Sequence, residues 1–251
     1  MTQMKPTALV TGATSGIGMA CARRLHAAGY RVIVTGRNPA RLNALKDELG
    51  ADALPLLFDV RDREIAEAAV ASLPPSWREI DVLVNNAGLA LGLDKEHEGD
   101  YRDWDTMIDT NIKGLLYMTR AVVPGMVERG RGHVVNIGSV AGDAAYANGN
   151  VYCGTKAAVK AITDGLRIDL ADTPVRVTLV KPGLVETRFS EVRFHGDTER
   201  AANVYKGIRP LSGDDIADAV VYAVSAPPHV QVAEMLILAT HQASGSVICR
   251  K

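Results

Sequence analysis

Cysteine is nearly missing from this chain: Cys21, Cys153 and Cys249 are the only three, and they lie far apart. Three scattered thiols build neither a disulfide framework nor a cysteine zinc site, so no metal centre is expected. A surplus of one charge sign is also missing, with 28 basic against 29 acidic residues. That balance argues against a nucleic-acid surface and against a polybasic membrane patch. Although 47% of the residues are hydrophobic, no apolar run approaches the ~18–20 residues of a membrane span. Met1 to Pro6 lead into the first strand pattern without an apolar leader. These absences predict a cytoplasmic protein in a reducing setting, with neither membrane nor nucleic acid as partner.

What is present is a rhythm. A chain of 251 residues suits one large α/β domain or two small ones. Short β-branched runs at 8–11, 31–35, 53–58, 82–85, 133–137, 176–181 and 234–238 read as strands. Helical patterns at 16–28, 39–49, 63–72, 104–129, 151–171 and 214–225 separate them. Most of the strands are continuous apolar runs, as required where helices cover both faces of a parallel sheet. The expected fold is a single doubly wound α/β domain over residues 1–251, Rossmann-like, with a mostly parallel seven-stranded sheet. Only 184–211 departs from the rhythm. A connection that long is expected to be a lid or a binding loop.

The first strand runs into Thr11-Gly12-Ala13-Thr14-Ser15-Gly16-Ile17-Gly18 and then a helix. Glycines there permit a tight turn and close approach to a pyrophosphate, and the helix N-terminus attracts negative charge. Placed between the first strand and first helix, the triplet is a dinucleotide signal; an ordinary glycine-rich turn is the alternative. The second strand ends Val34-Thr35-Gly36-Arg37-Asn38, where an NAD-binding unit carries Asp or Glu for the ribose hydroxyls. Arg37 suits a ribose 2′-phosphate instead, which makes NADP(H) the expected cofactor. Its alternative is a solvated arginine opening the next helix.

Tyr152 and Lys156 stand four residues apart, on one helix face. A cation about 4 Å from a phenol, at an effective dielectric near 20, favours the phenolate by roughly 4 kcal/mol, or about three pKa units. That brings a tyrosine towards neutrality, where acid–base catalysis works best. The spacing alone is common. Cys153 beside the pair reads as a small helix-face residue or as a reactive thiol.

Together the motifs resemble the short-chain dehydrogenase/reductase family from end to end. The glycine turn, Asp59-Val60, Asn85-Asn86-Ala87-Gly88, Asn111, Gly138-Ser139, Tyr152 with Lys156 and Lys181-Pro182-Gly183 occur in the family's order. The resemblance implies that Asn111, Ser139, Tyr152 and Lys156 are catalytic. Tyr152 would exchange a proton with the substrate oxygen, and Ser139 would hydrogen-bond it. Lys156 would hold the nicotinamide ribose and depress the Tyr152 pKa. Asn111, at a helix irregularity, would position a relay water. Gly12, Thr14, Ser15, Gly16, Ile17 and Gly18 would cradle the pyrophosphate, and Asp59, Val60, Asn86, Ala87 and Gly88 would line the adenosine side. Pro182, Gly183, Val185 and Thr187 would border the carboxamide. As alternatives, Ser139 is a strand-end cap and Asn111 a buried helix polar group.

Within the family, Trp104 to Asn111, Gly149-Asn150-Val151-Tyr152 and Phe189-Ser190-Glu191-Val192-Arg193-Phe194 are similar to the serine/3-hydroxy acid dehydrogenase branch. That likeness implies an NADP-dependent enzyme acting on small 3-hydroxy acids such as serine, allo-threonine or 3-hydroxypropionate, usually as a homotetramer. Reduction of sulfoacetaldehyde or another short anionic aldehyde is the nearest alternative. A non-catalytic NADP-binding sensor or scaffold is the alternative of another class. An anionic substrate needs a fixed cation, and Arg193 is the candidate within the lid; a solvated lid charge is its alternative. His195 reads as a loop residue. Asp143-Ala144-Ala145-Tyr146 carries smaller residues than branch relatives show, and Asp143 would repel an anion if it pointed inward. Arg188 stands near a position that is acidic in several relatives, and the tail from Gly245 lacks an aromatic residue found in some.

Overall fold

The computed structural model describes residues 5–250. Residues 1–4 and 251 lie outside the described residues, and with them most of the leader reading and the end of the tail. Seven strands form one sheet: β1 (Thr7–Val10), β2 (Arg31–Gly36), β3 (Ala53–Leu57), β4 (Ile80–Asn85), β5 (Gly132–Ile137), β6 (Val175–Pro182) and β7 (Glu234–Ile237). Their order is β3-β2-β1-β4-β5-β6-β7, and every pairing is parallel. The doubly wound fold is borne out, with a sheet that is parallel throughout rather than mostly so. From β1 the chain builds outward through β2 and β3, then returns to place β4 on the other side of β1. That reversal opens a crevice at the carboxyl ends of β1 and β4.

The helices are α1 (Gly16–Ala27), α2 (Pro39–Leu49), α3 (Arg63–Ala71), α4 (Tyr101–Ile108), α5 (Leu115–Arg129), α6 (Asn150–Asp169), α7 (Phe189–Arg193), α8 (Thr198–Asn203) and α9 (Gly213–Ser225). Their ends follow local chemistry. Asn38 caps α2 by accepting from the Arg41 N–H, with Pro39 at the first helical position. Ser212 and Asp215 form a reciprocal capping box on α9. One face of the sheet buries Leu25, Leu42, Leu45 and Val220, and the other buries Leu73, Met118, Val122 and Met126. Each such side chain contributes about 1.5–3 kcal/mol relative to leaving it exposed. Among the described residues no helix is long and apolar enough to cross a membrane.

Two expectations change in detail. The helix expected over 104–129 begins at Tyr101 and is interrupted, because Asp109–Gly114 is a turn of π-helix between α4 and α5. The wider turn brings Thr110, Asn111 and Gly114 into the interior, and Gly114 packs so closely that an added Cβ would lie 2.7 Å from Val60 Cγ2. Periodicity of 3.6 carries no signal for such a turn. The 184–211 stretch contains α7 and α8, and its ends are clipped together. Val185 bridges Leu211, and the Leu211 N–H donates to the Leu184 carbonyl at 2.9 Å.

Candidate active site

The crevice is a cavity of about 490 Å³ above the carboxyl edge of the sheet. All of the site residues expected from sequence line it except Gly18 and Asn111. The glycine turn forms its floor. Gly16 has φ +52°, and a Cβ there would lie 3.1 Å from Thr187 of the 184–211 segment. Gly18 packs against the Gly12 carbonyl and the Asn86 carboxamide with no room for a side chain. These positions leave backbone N–H groups and a helix N-terminus open to the cavity, a fit for a pyrophosphate.

Thr11 staples the turn to the end of β4. Its hydroxyl accepts from the backbone N–H groups of Asn86 and Ala87 at 3.0 and 2.9 Å. The Asn86 carboxamide returns a bond to the Thr11 carbonyl at 2.9 Å. Asn86 therefore acts on its own chain as well as lining the cavity. Arg37 stands exposed at the end of β2, with Nη1 3.5 Å from Asp59 Oδ2.

On the opposite wall, α6 presents Tyr152 and Lys156, both buried and one turn apart. Lys156 Nζ donates to the Ile137 carbonyl at 2.9 Å, and burial lowers its pKa to about 8. Tyr152 shifts the other way from expectation. Burial raises the phenol above its ordinary pKa, and hydrogen bonding to Ser139 with the charge of Arg193 offsets only part of that rise. Desolvation of the phenolate outweighs neighbouring charge, and the nearby cation is Arg193 rather than Lys156. The tyrosine is thus a neutral acid at physiological pH. Ser139 Oγ accepts from the Ala141 N–H at 3.1 Å, so its cap role is real while its O–H remains able to donate.

Asn111 sits in the π-turn with its carboxamide engaged. Its Oδ1 accepts from the Leu89 N–H at 2.9 Å, and its Nδ2 donates to the Leu89 carbonyl at 2.8 Å and to Thr155 Oγ1 at 3.0 Å. Thr155 in turn donates to the Tyr152 carbonyl at 2.8 Å. The side chain anchors the loop after β4 to α6, so any water held at this residue would need its backbone, not its carboxamide.

Arg193 reaches the same wall from α7. Its Nη1 donates to the Tyr146 hydroxyl at 2.8 Å and its Nε to the Gly92 carbonyl at 3.2 Å. The guanidinium carbon lies 5.4 Å from the Tyr146 ring and 5.5 Å from the Tyr152 ring. It is a fixed, half-buried cation beside the phenol and not a solvated lid charge. Asp143 does not face the cavity; it pairs with buried Lys181 at 2.8 Å, and Lys181 also pairs with Glu234. No carboxylate repulsion arises there. His195 turns outward to Asp103 at 3.1 Å, and Arg188 lines the cavity while pairing with Glu191 at 3.1 Å.

Sequence reasoning passed over Thr11, Tyr146, Phe189, Gln242 and Arg250 as site residues. Phe189 packs edge-on against Tyr152 at 5.5 Å. Gln242 Oε1 accepts from the Leu184 N–H at 2.8 Å, and Arg250 donates to the carbonyls of Val204 and Lys206. The tail therefore ties down both parts of the 184–211 segment without an aromatic residue. Thr11 had a signal, since it opens the glycine motif; the others act across long chain separations.

Comparison with known proteins agrees with this geometry. A family profile described as short chain dehydrogenase matches residues 6–197. The NADP-dependent 3-hydroxy acid dehydrogenase of Salmonella typhi is 56% identical over 225 residues, covering 89% of this chain and 91% of that protein. The serine 3-dehydrogenase of Rhizobium radiobacter is 45% identical over 239 residues, covering 95% and 96%. Among solved structures, the closed form of serine dehydrogenase complexed with NADP+ superposes with a TM-score of 0.94 at 48% identity. That match covers 98% of this chain and 99% of the other.

Proposed function

The chain belongs to the short chain dehydrogenase family of oxidoreductases, and from that premise we propose that it is NADP-dependent and interconverts a small 3-hydroxy acid with its carbonyl partner. The observation that carries the substrate side is Arg193, held over the Tyr152 ring in the cavity that also contains the glycine turn. A guanidinium fixed beside a proton donor selects substrates whose carboxylate lies a short, set distance from the reacting oxygen.

When bound, NADP supplies or accepts the hydride. Gly12, Thr14, Ser15, Gly16 and Ile17 hold its pyrophosphate, with Gly18 packing α1 against the turn behind them, and Arg37 meets the 2′-phosphate. Asp59, Val60, Asn86, Ala87 and Gly88 flank the adenosine. Pro182, Gly183, Val185 and Thr187 border the carboxamide, and Lys156 holds the adjoining ribose. Tyr152 gives its proton to the substrate oxygen in reduction and takes it back in oxidation. Ser139 orients that oxygen, while Arg193 grips the carboxylate. Asn111 keeps the loop after β4 against α6. Residues 184–211 act as a lid on one domain spanning the chain, and the clip at Val185 and Leu211 supports a hinge at its base.

The exposed apolar residues Ile108, Leu116 and Val127 along α4 and α5 support assembly as a homotetramer. Unpaired Cys21, Cys153 and Cys249 support a reducing, cytoplasmic setting. Because the Arg193 fork also fits a sulfonate, reduction of sulfoacetaldehyde is the second reading. A non-catalytic sensor is disfavoured, since a pure binder has no use for Ser139, Tyr152 and Arg193 converging on one spot. Steady-state kinetics test all three. We expect NADP+ reduction with serine or 3-hydroxypropionate and NADPH oxidation with malonic semialdehyde. A clear preference for sulfoacetaldehyde would select the second reading, and tight NADPH binding with no turnover on any small carbonyl or alcohol would select the sensor.

A further inference from the structure

The adenosine end of the cavity contains a carboxylate where a phosphate is expected to bind. Asp59 lies just beyond β3 with its side chain three-quarters buried, and its Oδ2 is 3.5 Å from Arg37 Nη1. Left alone, that carboxylate would do two things against a ribose phosphate. It would draw the Arg37 guanidinium into an ion pair, and it would repel the phosphate at close range.

Arg61, two residues further on, answers both. Its Nη2 and Nε donate to Asp59 Oδ2 at 2.7 and 3.0 Å, and its own backbone N–H donates to Oδ1 at 3.0 Å. These contacts are shorter than the one from Arg37, so the carboxylate is committed to Arg61. Burial alone would raise the Asp59 pKa, but the Arg61 hydrogen bonds and the two guanidinium charges hold it below its ordinary value. Asp59 therefore stays ionised and in need of a partner. With Arg61 the cluster of two guanidiniums and one carboxylate carries a single positive charge; without Arg61 it carries none. Arg61 itself does not line the cavity. Neighbouring Asp62 is spent on the start of α3, accepting from the Ile65 N–H at 3.1 Å, and offers Asp59 no competition for Arg61.

We propose that Arg61 is a specificity-determining positioning residue, which by holding Asp59 leaves Arg37 free for a phosphate monoester on the adenosine ribose. This inference rests on the NADP reading and deepens it: the preference for the phosphorylated cofactor depends on two arginines, of which one never touches the ligand.

The test is equilibrium binding of NADPH and NADH, read by nicotinamide fluorescence, with no turnover required. Arg61→Ala should weaken NADPH about tenfold while leaving NADH within about twofold, the scale of a lost charge-assisted contact. Adding Asp59→Asn to that variant should restore most of the NADPH affinity, because the carboxylate that Arg61 restrains is gone. The loss in Arg61→Ala should also shrink at high salt. Retained NADH binding shows that the variant is folded. A wild-type NADPH preference that survives Arg61→Ala overturns the inference, and so does an equal loss of both cofactors or a double variant with no recovery. A wild-type protein without NADPH preference, or a preference unchanged in Arg37→Ala, overturns the NADP reading and this inference with it.

Discussion

At the glycine-turn end the cleft is shaped by backbone, with Gly16 lining it and Gly18 packed behind it against the Gly12 carbonyl. At the Tyr152 end it is shaped by side chains drawn from distant stretches, with Tyr146, Phe189 and Arg193 gathered around the Tyr152 ring. The first end tolerates little added volume, because a Cβ at Gly18 meets the Gly12 carbonyl and the anchored Asn86 carboxamide, and one at Gly16 meets Thr187. The second can be retuned one side chain at a time without disturbing the sheet. On the proposed reading cofactor binding and substrate choice should be separable by mutation, and the two ends should fail differently.

At the backbone end the failure is one of cofactor binding. Gly18→Ala places a methyl against the Gly12 carbonyl and the Asn86 carboxamide. We expect NADPH affinity to fall by about ten- to a hundredfold, the scale of overpacking at a site that cannot relax. Titration of NADPH fluorescence reads this directly, and wild-type affinity would mean that α1 is free to move away from the turn. At the other end, Arg193→Ala should raise KM for a 3-hydroxy acid about ten- to a hundredfold while NADPH affinity holds, as for loss of a charged hydrogen-bond partner. If KM for a neutral ketone rises equally, Arg193 is packing and not recognition. Tyr146→Phe removes only the hydroxyl that fixes Arg193 and should raise the same KM by roughly three- to tenfold.

The smallest effect is one of pH. Tyr152 is shifted upward by burial, so its proton is present at neutral pH and is lost only in alkali. Reduction, which needs that proton, should be supported at neutral pH and decline in alkali. Oxidation, which needs the phenolate, should rise with pH. Parallel profiles in the two directions would contradict this assignment.

How far the sequence could be read follows the same division. The strands, the glycine turn, Arg37 and the Tyr152–Lys156 pair rely on neighbours within a few residues, so local sequence picked them out as candidates, and the order of the motifs along the chain gave the pair its expected role. Arg193 was recognisable as a lid cation, but its geometry was not, because Gly92 and Tyr146 lie 101 and 47 residues away in the chain. Asp143 looked like a threat to an anion until the fold brought Lys181 beneath it. The Tyr152 pKa was misjudged for a related reason. Spacing placed a cation near a phenol, but only the packed structure shows how completely burial removes water from both.

The central claim is that Tyr152 transfers the proton at a site whose cofactor half is built independently of it. Tyr152→Phe, assayed in one preparation for NADPH affinity and for reduction of malonic semialdehyde, tests both parts at once. The account predicts NADPH affinity within about twofold of wild type and turnover reduced by at least about a thousandfold, the upper range for loss of a general acid–base group. Turnover within about tenfold of wild type, on that same scale, would contradict it.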